Sequence, residues 1–142
     1  TENLGRRVMS LADRRLFGGR IPRLAPQDRE KWQEVAEILE GGLLLNLDPI
    51  VECRLCQALA QAYGELGERA RAIEYYRRVV EKYPMVDESW RASAQYMIAW
   101  QYRRAGDLER AVAEARVVLE RFPNSTFAQY AQQFIQSIAG GE

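Results

Sequence analysis

Apolar residues recur every three or four positions through the middle of the chain, which is the spacing of one face of an α-helix. The spacing is interrupted at Gly67 and resumes after it. The apolar positions on the two sides of this glycine are Leu55, Leu59 and Tyr63, followed by Ile73, Tyr76, Val79 and Val80. The pattern predicts two helices joined by a turn.

Residues 59–84 and residues 98–123 have related sequences at an offset of 39 positions, and nine of the 26 aligned positions are identical. The identical positions, numbered in the first copy, are Ala60, Tyr63, Gly67, Arg71, Ala72, Arg77, Val79, Glu81 and Pro84. A fixed period of this kind is typical of proteins built from copies of one supersecondary unit. We therefore predict that each copy is a pair of helices around a turn.

The residues kept in both copies explain how such a pair forms. Gly67 and Gly106 provide the permissive backbone that ends the first helix. Pro84 and Pro123 stop the second helix, and small residues such as Ala60 allow the two helices to approach closely. One hairpin cannot bury its apolar face alone, so hairpins are expected to stack into a right-handed array with a concave and a convex side.

Both copies resemble tetratricopeptide repeats, since they carry that family's small residue, tyrosine, glycine, alanine and terminal proline at its spacing. The two segments are AQAYGELGERARAIEYYRRVVEKYP and IAWQYRRAGDLERAVAEARVVLERFP. The resemblance implies an all-α fold of antiparallel helix hairpins stacked in a right-handed superhelix, with about seven helices in this chain. A further segment, FPNSTFAQYAQQFI, is similar to repeats of bacterial envelope proteins such as the outer-membrane assembly lipoproteins and the periplasmic partner of the Tol-Pal system.

We predict that residues 1–142 form a single helical-repeat domain. Its parts are an N-terminal helix and loop at residues 1–26, a degenerate half-repeat at 27–48, a first repeat at 53–86, a second repeat at 87–123 and a capping helix at 124–138. Asp48 is a suitable N-cap and Pro49 a suitable first-turn residue for the helix that opens the first repeat. Gly41 and Gly42 predict a bend in the helix before it.

The charge balance gives no overall attraction to nucleic acid or to anionic lipid, because twenty basic and twenty acidic side chains cancel. Residues 1–23 differ, since six arginines face only Glu2 and Asp13 and leave a net charge of +4. This basic arm is either a solvated, partner-facing surface or a contact for lipid headgroups or nucleic-acid phosphate. We expect no nucleic-acid partner, and membrane contact only through this arm or through an anchor that precedes Thr1.

The chain contains no histidine, which removes the commonest general base and the commonest metal ligand. No glycine-rich phosphate loop follows a strand pattern, and no acidic pair stands out from the solvated helix faces. The sequence therefore predicts a protein that is not an enzyme and has no cofactor or metal site.

Cys53 and Cys56 form a CxxC pair, a spacing that serves thiol-redox centres and half of many zinc sites. A tetrahedral zinc site would need two more ligands, and the chain has no other cysteine and no histidine. A redox pair usually follows a strand, and no strand pattern precedes this one. Two small buried residues one turn apart on a packed helix are the simpler interpretation, with a reversible disulfide as the alternative.

The resemblance to tetratricopeptide repeats implies that the first helix of each repeat lines a groove for a peptide. On the second repeat this stripe contains Tyr96, Trp100 and Arg103, followed by Arg104, and aromatic and arginine side chains dominate binding energy at interfaces. By the same register the first repeat offers Arg54, Gln57 and Gln61. The alternative is that Tyr96 and Trp100 pack against the next hairpin.

The function that these observations favour is a scaffold without chemistry of its own, which binds another protein or peptide in its concave groove. A place in a bacterial envelope assembly, in the periplasm or anchored to a membrane, is the favoured location. A thiol-redox protein that uses Cys53 and Cys56, and a scaffold that assembles with copies of itself, are the alternatives.

Overall fold

Six helices and no strand occur in the part of the chain that the structure, a computed structural model, describes, which is residues 28–140. The helices are α1 (Arg29–Leu43), α2 (Pro49–Glu65), α3 (Arg69–Lys82), α4 (Glu88–Arg104), α5 (Leu108–Arg121) and α6 (Thr126–Gly140). The all-helical repeat fold is therefore as predicted. The N-terminal helix and loop expected at residues 1–26, which include the basic arm, lie outside the described residues.

The chain divides into two compact units, one that ends at Tyr75 and one that begins at Tyr76. The boundary falls inside α3, so the first unit contains α1, α2 and the start of α3, and the second contains the rest. The division into repeats and caps that the sequence suggests stays a prediction.

In the first unit, α1 packs against α2 and buries an apolar face of Trp32, Val35, Ala36 and Leu39. Asp48 caps α2 as predicted, because its side chain accepts a hydrogen bond of 2.9 Å from the backbone N–H of Ile50, and Pro49 occupies the first turn. The two glycines at positions 41 and 42 lie within α1, which ends one residue later.

Tyr63 connects the three helices of the first unit. Its hydroxyl donates a hydrogen bond to Glu40 on α1 and accepts one of 3.1 Å from Arg71 on α3. Its ring stacks on that of Tyr75 with 5.8 Å between centroids. Burial raises the pKa of the Tyr63 phenol above its usual range, and the hydrogen bond to Glu40 raises it further. The side chain is therefore a neutral, buried link between neighbouring helices.

Each hairpin turns at a glycine in the left-handed region, with φ of 79° at Gly67 and 84° at Gly106. After the first turn the N–H of Glu68 bonds to the carbonyl of Tyr63, and after the second the N–H of Asp107 bonds to the carbonyl of Tyr102, both at 2.9 Å. This is the Schellman end of a helix, which requires a positive φ that glycine adopts without a Cβ penalty. The role predicted for both glycines is confirmed.

In the second unit, α4, α5 and α6 pack around a core in which most residues are alanine. Its buried members are Ala99, Ala111, Ala115, Val118, Ala131 and Phe134. Asp87 and Asp107 cap α4 and α5 by accepting hydrogen bonds from the backbone N–H groups of Ser89 and Arg110. Because most core positions are alanine, the helices come close together and their larger side chains meet at the edges of the core.

Candidate partner-binding surface

The predicted stripe on α4 faces α6 in the structure. Tyr96 and Trp100 are both partly buried, and their rings meet edge to face with 6.3 Å between centroids. Since residues four apart lie on one face of a helix, the two rings form a continuous aromatic strip. This is the packing that the alternative interpretation of these residues expected.

Three aromatic residues of α6 complete the cluster. The ring of Tyr96 lies 5.9 Å from Phe127, 6.2 Å from Tyr130 and 5.9 Å from Phe134. Trp100 lies 5.2 Å from Phe134 in an edge-to-face contact. Each such pair contributes about 0.5–1.5 kcal/mol beyond the area it buries. The cluster therefore fixes α6 against α4 and holds both α4 rings in one orientation.

Arg103 extends this cluster by one turn. Its guanidinium carbon lies 5.0 Å from the ring centre of Trp100 and 5.3 Å from that of Phe134, and it donates a hydrogen bond of 3.2 Å to the Ser137 hydroxyl. Contacts of this kind hold an arginine by cation–π attraction. Arg104 is exposed and points a full positive charge into solvent at the end of the same helix.

The other three predicted residues lie on α2 in the first unit. Arg54, Gln57 and Gln61 are all partly buried, and their spacing puts them on one stripe of that helix. The structure therefore groups the seven predicted residues as one set in each unit. That either set binds a partner stays a prediction.

The cysteine pair lies in the core of the first unit. Cys53 and Cys56 are free thiols with 0% of their surface exposed. Burial raises the pKa of the Cys53 thiol from 9.0 to about 12, and the charges of Cys56 and Glu52 add to the shift. The thiolate is the reactive form of cysteine, and burial disfavours that form at Cys53 in the folded protein. The structure disfavours the redox alternative.

Sequence reasoning missed an open cleft of about 750 Å³ between α5 and the end of α6. Its lining consists of Arg103, Leu108, Glu109, Val112, Ala113, Arg116, Ser137, Ile138 and Ala139. Leu108 is 48% exposed in it. The available signal was Leu108 itself, a large apolar residue at the first position of α5, where the first repeat has an arginine.

A second missed feature is a polar network on the opposite side of α5. Arg77 of α3 pairs with Glu114 at 2.5 Å, and the buried amide of Gln95 donates to the same carboxylate at 2.9 Å. Two turns further along α5, Arg121 pairs with Glu81 of α3 at 2.6 Å. Arg77 and Glu81 are identical in the two repeats. The same two charges therefore recur on α5, at Arg116 and Glu120.

In a comparison with protein families, the model of the tetratricopeptide repeat matches residues 58–84 and 93–125. No significant match was found among curated proteins or among solved structures. No helix within residues 28–140 is both long enough and apolar enough to cross a membrane. The two matched segments contain the α2–α3 and α4–α5 turns at Gly67 and Gly106. Residues 58–84 and 93–125 are therefore two tetratricopeptide repeats.

Proposed function

We propose that the chain is a non-catalytic scaffold that binds a segment of another polypeptide through the first helix of each repeat. Tetratricopeptide repeats generally mediate binding between proteins. In the second repeat the contact surface consists of Tyr96, Trp100, Arg103 and Arg104 on α4. In the first repeat it consists of Arg54, Gln57 and Gln61 on α2.

The observation that supports this proposal most strongly is that three α4 side chains are held by α6 and are still partly exposed. Tyr96, Trp100 and Arg103 are fixed by ring and hydrogen-bond contacts to α6, yet each keeps part of its surface in solvent. A side chain that is already ordered loses little conformational entropy when a partner binds. Exposed edges of ordered aromatic and arginine residues are therefore suited to be anchors for a partner.

A substitution of Arg104 should affect partner binding without affecting the packing of the fold. Its side chain is exposed and makes no ion pair within the described residues, so Arg104→Glu should leave the free energy of unfolding unchanged. If a partner lies along α4, the reversed charge should weaken its binding about tenfold. Lys31→Glu is the matched control, because it reverses an exposed charge on α1.

Site-specific photocrosslinking identifies the surface directly. Benzoylphenylalanine placed at Gln57, Gln61 or Arg104 should link the partner in cells or lysate, and the same group at Lys31 or Gln132 should not. All five positions have solvent access. Equal labelling from all five positions, or labelling only from the two controls, would remove this surface from the account.

The proposal includes a place for the scaffold in a bacterial envelope assembly. It is supported by the similarity of residues 122–135 to repeats of envelope proteins. Fractionation of cells that produce the natural protein should recover it with the periplasm or the membrane. Recovery in the cytoplasmic fraction alone would contradict this part of the proposal and leave the binding role standing.

A further inference from the structure

The last residue of the first helix differs in charge between the two repeats. Glu65 ends α2 and Arg104 ends α4, and they stand 39 positions apart, at equivalent positions of the repeat. Both side chains are exposed, and neither forms an ion pair within residues 28–140. Each lies on the stripe of the proposed contact residues, four positions after Gln61 or Trp100.

The stability of α2 does not explain Glu65. A helix carries a partial negative charge at its C-terminal end, so an acidic side chain there is unfavourable, whereas a basic one such as Arg104 is favourable. The guanidinium of Arg29 reaches this end of α2, but it donates its hydrogen bond of 2.9 Å to the carbonyl of Leu66. Glu65 therefore keeps a charge with which a basic group of a partner can pair.

The end of α4 has the opposite charge and no acidic neighbour on α6. Arg104 follows Arg103, whose guanidinium is held by two rings and by the Ser137 hydroxyl, all of them uncharged. Helix α6 carries no charged residue between Thr126 and Gly140. The positive charge at this end of α4 is therefore not neutralised by α6.

The uncharged contact residues also differ between the repeats. The α2 set offers the side-chain amides of Gln57 and Gln61, each of which can donate and accept hydrogen bonds. The α4 set offers the rings of Tyr96 and Trp100, which present apolar surface to a partner. The two sets therefore suit different residue types.

We infer that the two sets bind different residue types of the partner polypeptide, and this inference rests on the proposed function. The α2 set binds a basic side chain at Glu65 beside polar groups. The α4 set binds an acidic side chain at Arg104 beside an apolar side chain on Trp100. Partner binding removes water from Glu65 and Arg104, and a charge that loses water without an opposite charge is costly. The partner therefore supplies both opposite charges.

The spacing on α4 specifies the partner segment further. Trp100 and Arg104 are four residues apart, which places their Cβ atoms about 6 Å apart on one face of the helix. In an extended segment, side chains on the same side are two positions and about 7 Å apart. An extended segment that binds α4 therefore carries its apolar and its acidic residue two positions apart.

Selection from a phage-displayed library of random twelve-residue peptides on the immobilised intact chain tests the inference. Peptides selected on the unaltered chain should share an acidic residue two positions from an apolar one, together with a basic residue elsewhere. On Arg104→Glu the acidic residue should be replaced by a basic one, and on Glu65→Lys the basic residue should be replaced by an acidic one. Lys31→Glu is the control and should select the same peptides as the unaltered chain.

The affinity of one selected peptide, synthesised with a blocked C-terminus, gives the size of the effect. Fluorescence anisotropy should show binding to Arg104→Glu and to Glu65→Lys about tenfold weaker than to the unaltered chain, because one charge pair becomes repulsive. Exchange of the matching charge on the peptide should restore the affinity, and circular dichroism verifies that each variant is folded. A requirement for a free C-terminal carboxylate would overturn the inference, because the acidic group would then not be a side chain.

Selection of the same peptides on all variants would overturn the inference and leave the proposed binding role standing. No selection of any peptide on the unaltered chain would contradict that role and the inference together. Sedimentation that shows a dimer, and its loss in Glu65→Lys, would assign the α2 set to a second copy. A crosslinker at Gln61 that captures residues 1–27 of the same molecule would assign it to the basic arm. Either of these two results would overturn the inference.

Discussion

The two repeats place the same tyrosine in different surroundings. Tyr63 and Tyr102 occupy equivalent positions, and each has an arginine guanidinium over its ring, Arg71 at 5.1 Å and Arg110 at 5.9 Å. Tyr63 is 3% exposed and bonded to Glu40, whereas Tyr102 is only partly buried. The repeat motif determines the arginine and tyrosine pair, and the neighbouring helix determines how much that pair stabilises the fold.

Replacing each tyrosine by alanine should give the largest difference between the repeats. Tyr63→Ala removes a fully packed ring and its link between three helices, so we expect a loss of about 3–5 kcal/mol in the free energy of unfolding. Tyr102→Ala should cost about 1–2 kcal/mol, because part of its surface is already in solvent. Urea unfolding followed by circular dichroism measures both. Equal losses would mean that the two tyrosines are packed alike.

Alkaline pH should act on the first unit through its buried thiol. The pKa of Cys53 is raised from 9.0 to about 12 in the folded state, so its contribution to stability is complete below pH 9 and is lost as the pH rises towards 12. The slope is about 1.4 kcal/mol per pH unit for one proton. Cys53→Ala should remove this part of the pH dependence in thermal unfolding.

A pH dependence that is the same with and without Cys53 would contradict the assignment of that slope. Thiol titration gives an independent check. Both cysteines should react with a disulfide reagent near neutral pH only after unfolding, and reaction in the folded protein would restore the redox alternative.

Substitutions at the two hairpin turns should lower the free energy of unfolding by similar amounts, in contrast to substitutions of the two tyrosines. A Cβ added at Gly67 or Gly106 would meet no atom within 4 Å, so the cost of alanine is that of the positive φ alone, about 1–2 kcal/mol at each turn. Chemical unfolding of Gly67→Ala and Gly106→Ala should give losses that agree closely. A much larger loss at one turn would show that the turns are not equivalent.

Substitutions on the two faces of α5 should differ less in their effect on the free energy of unfolding. Glu114→Ala removes an ion pair with Arg77 and an acceptor of the buried Gln95 amide, and we expect a loss of about 1 kcal/mol. Glu120→Ala should change the stability of the isolated chain by less than about 0.5 kcal/mol, because its side chain is exposed. A cost at Glu120 equal to that at Glu114 would mean that both faces are covered.

The helical hairpins could be predicted from the sequence because their determinants are local. Gly67 and Gly106 end helices through their own backbone freedom, and Asp48 with Pro49 starts one through a cap two residues away. The interpretation of Cys53 and Cys56 as packing residues also rested on local facts, namely a helical pattern and missing metal ligands.

The candidate surfaces depend on neighbours that a pattern does not specify. The spacing put Tyr96 and Trp100 on one stripe, but the α6 aromatics that contact them are 31 or more positions away in the sequence. The exposure of Leu108 likewise depends on which helices reach it. The repeat alignment did contain a signal for the second charged face of α5, since it aligns Arg116 with Arg77 and Glu120 with Glu81.

The central claim of this account is that α5 uses one charged face to hold α3 and leaves the repeated face, which carries Arg116 and Glu120, exposed. Rotation of arginine guanidinium groups, measured by nuclear magnetic resonance of the free chain, tests it most directly. Arg77 and Arg121 should rotate slowly because carboxylates hold them at 2.5 and 2.6 Å, and Arg116 should rotate freely. Slow rotation of Arg116 in the free chain would mean that its face is already occupied, and the claim would fail.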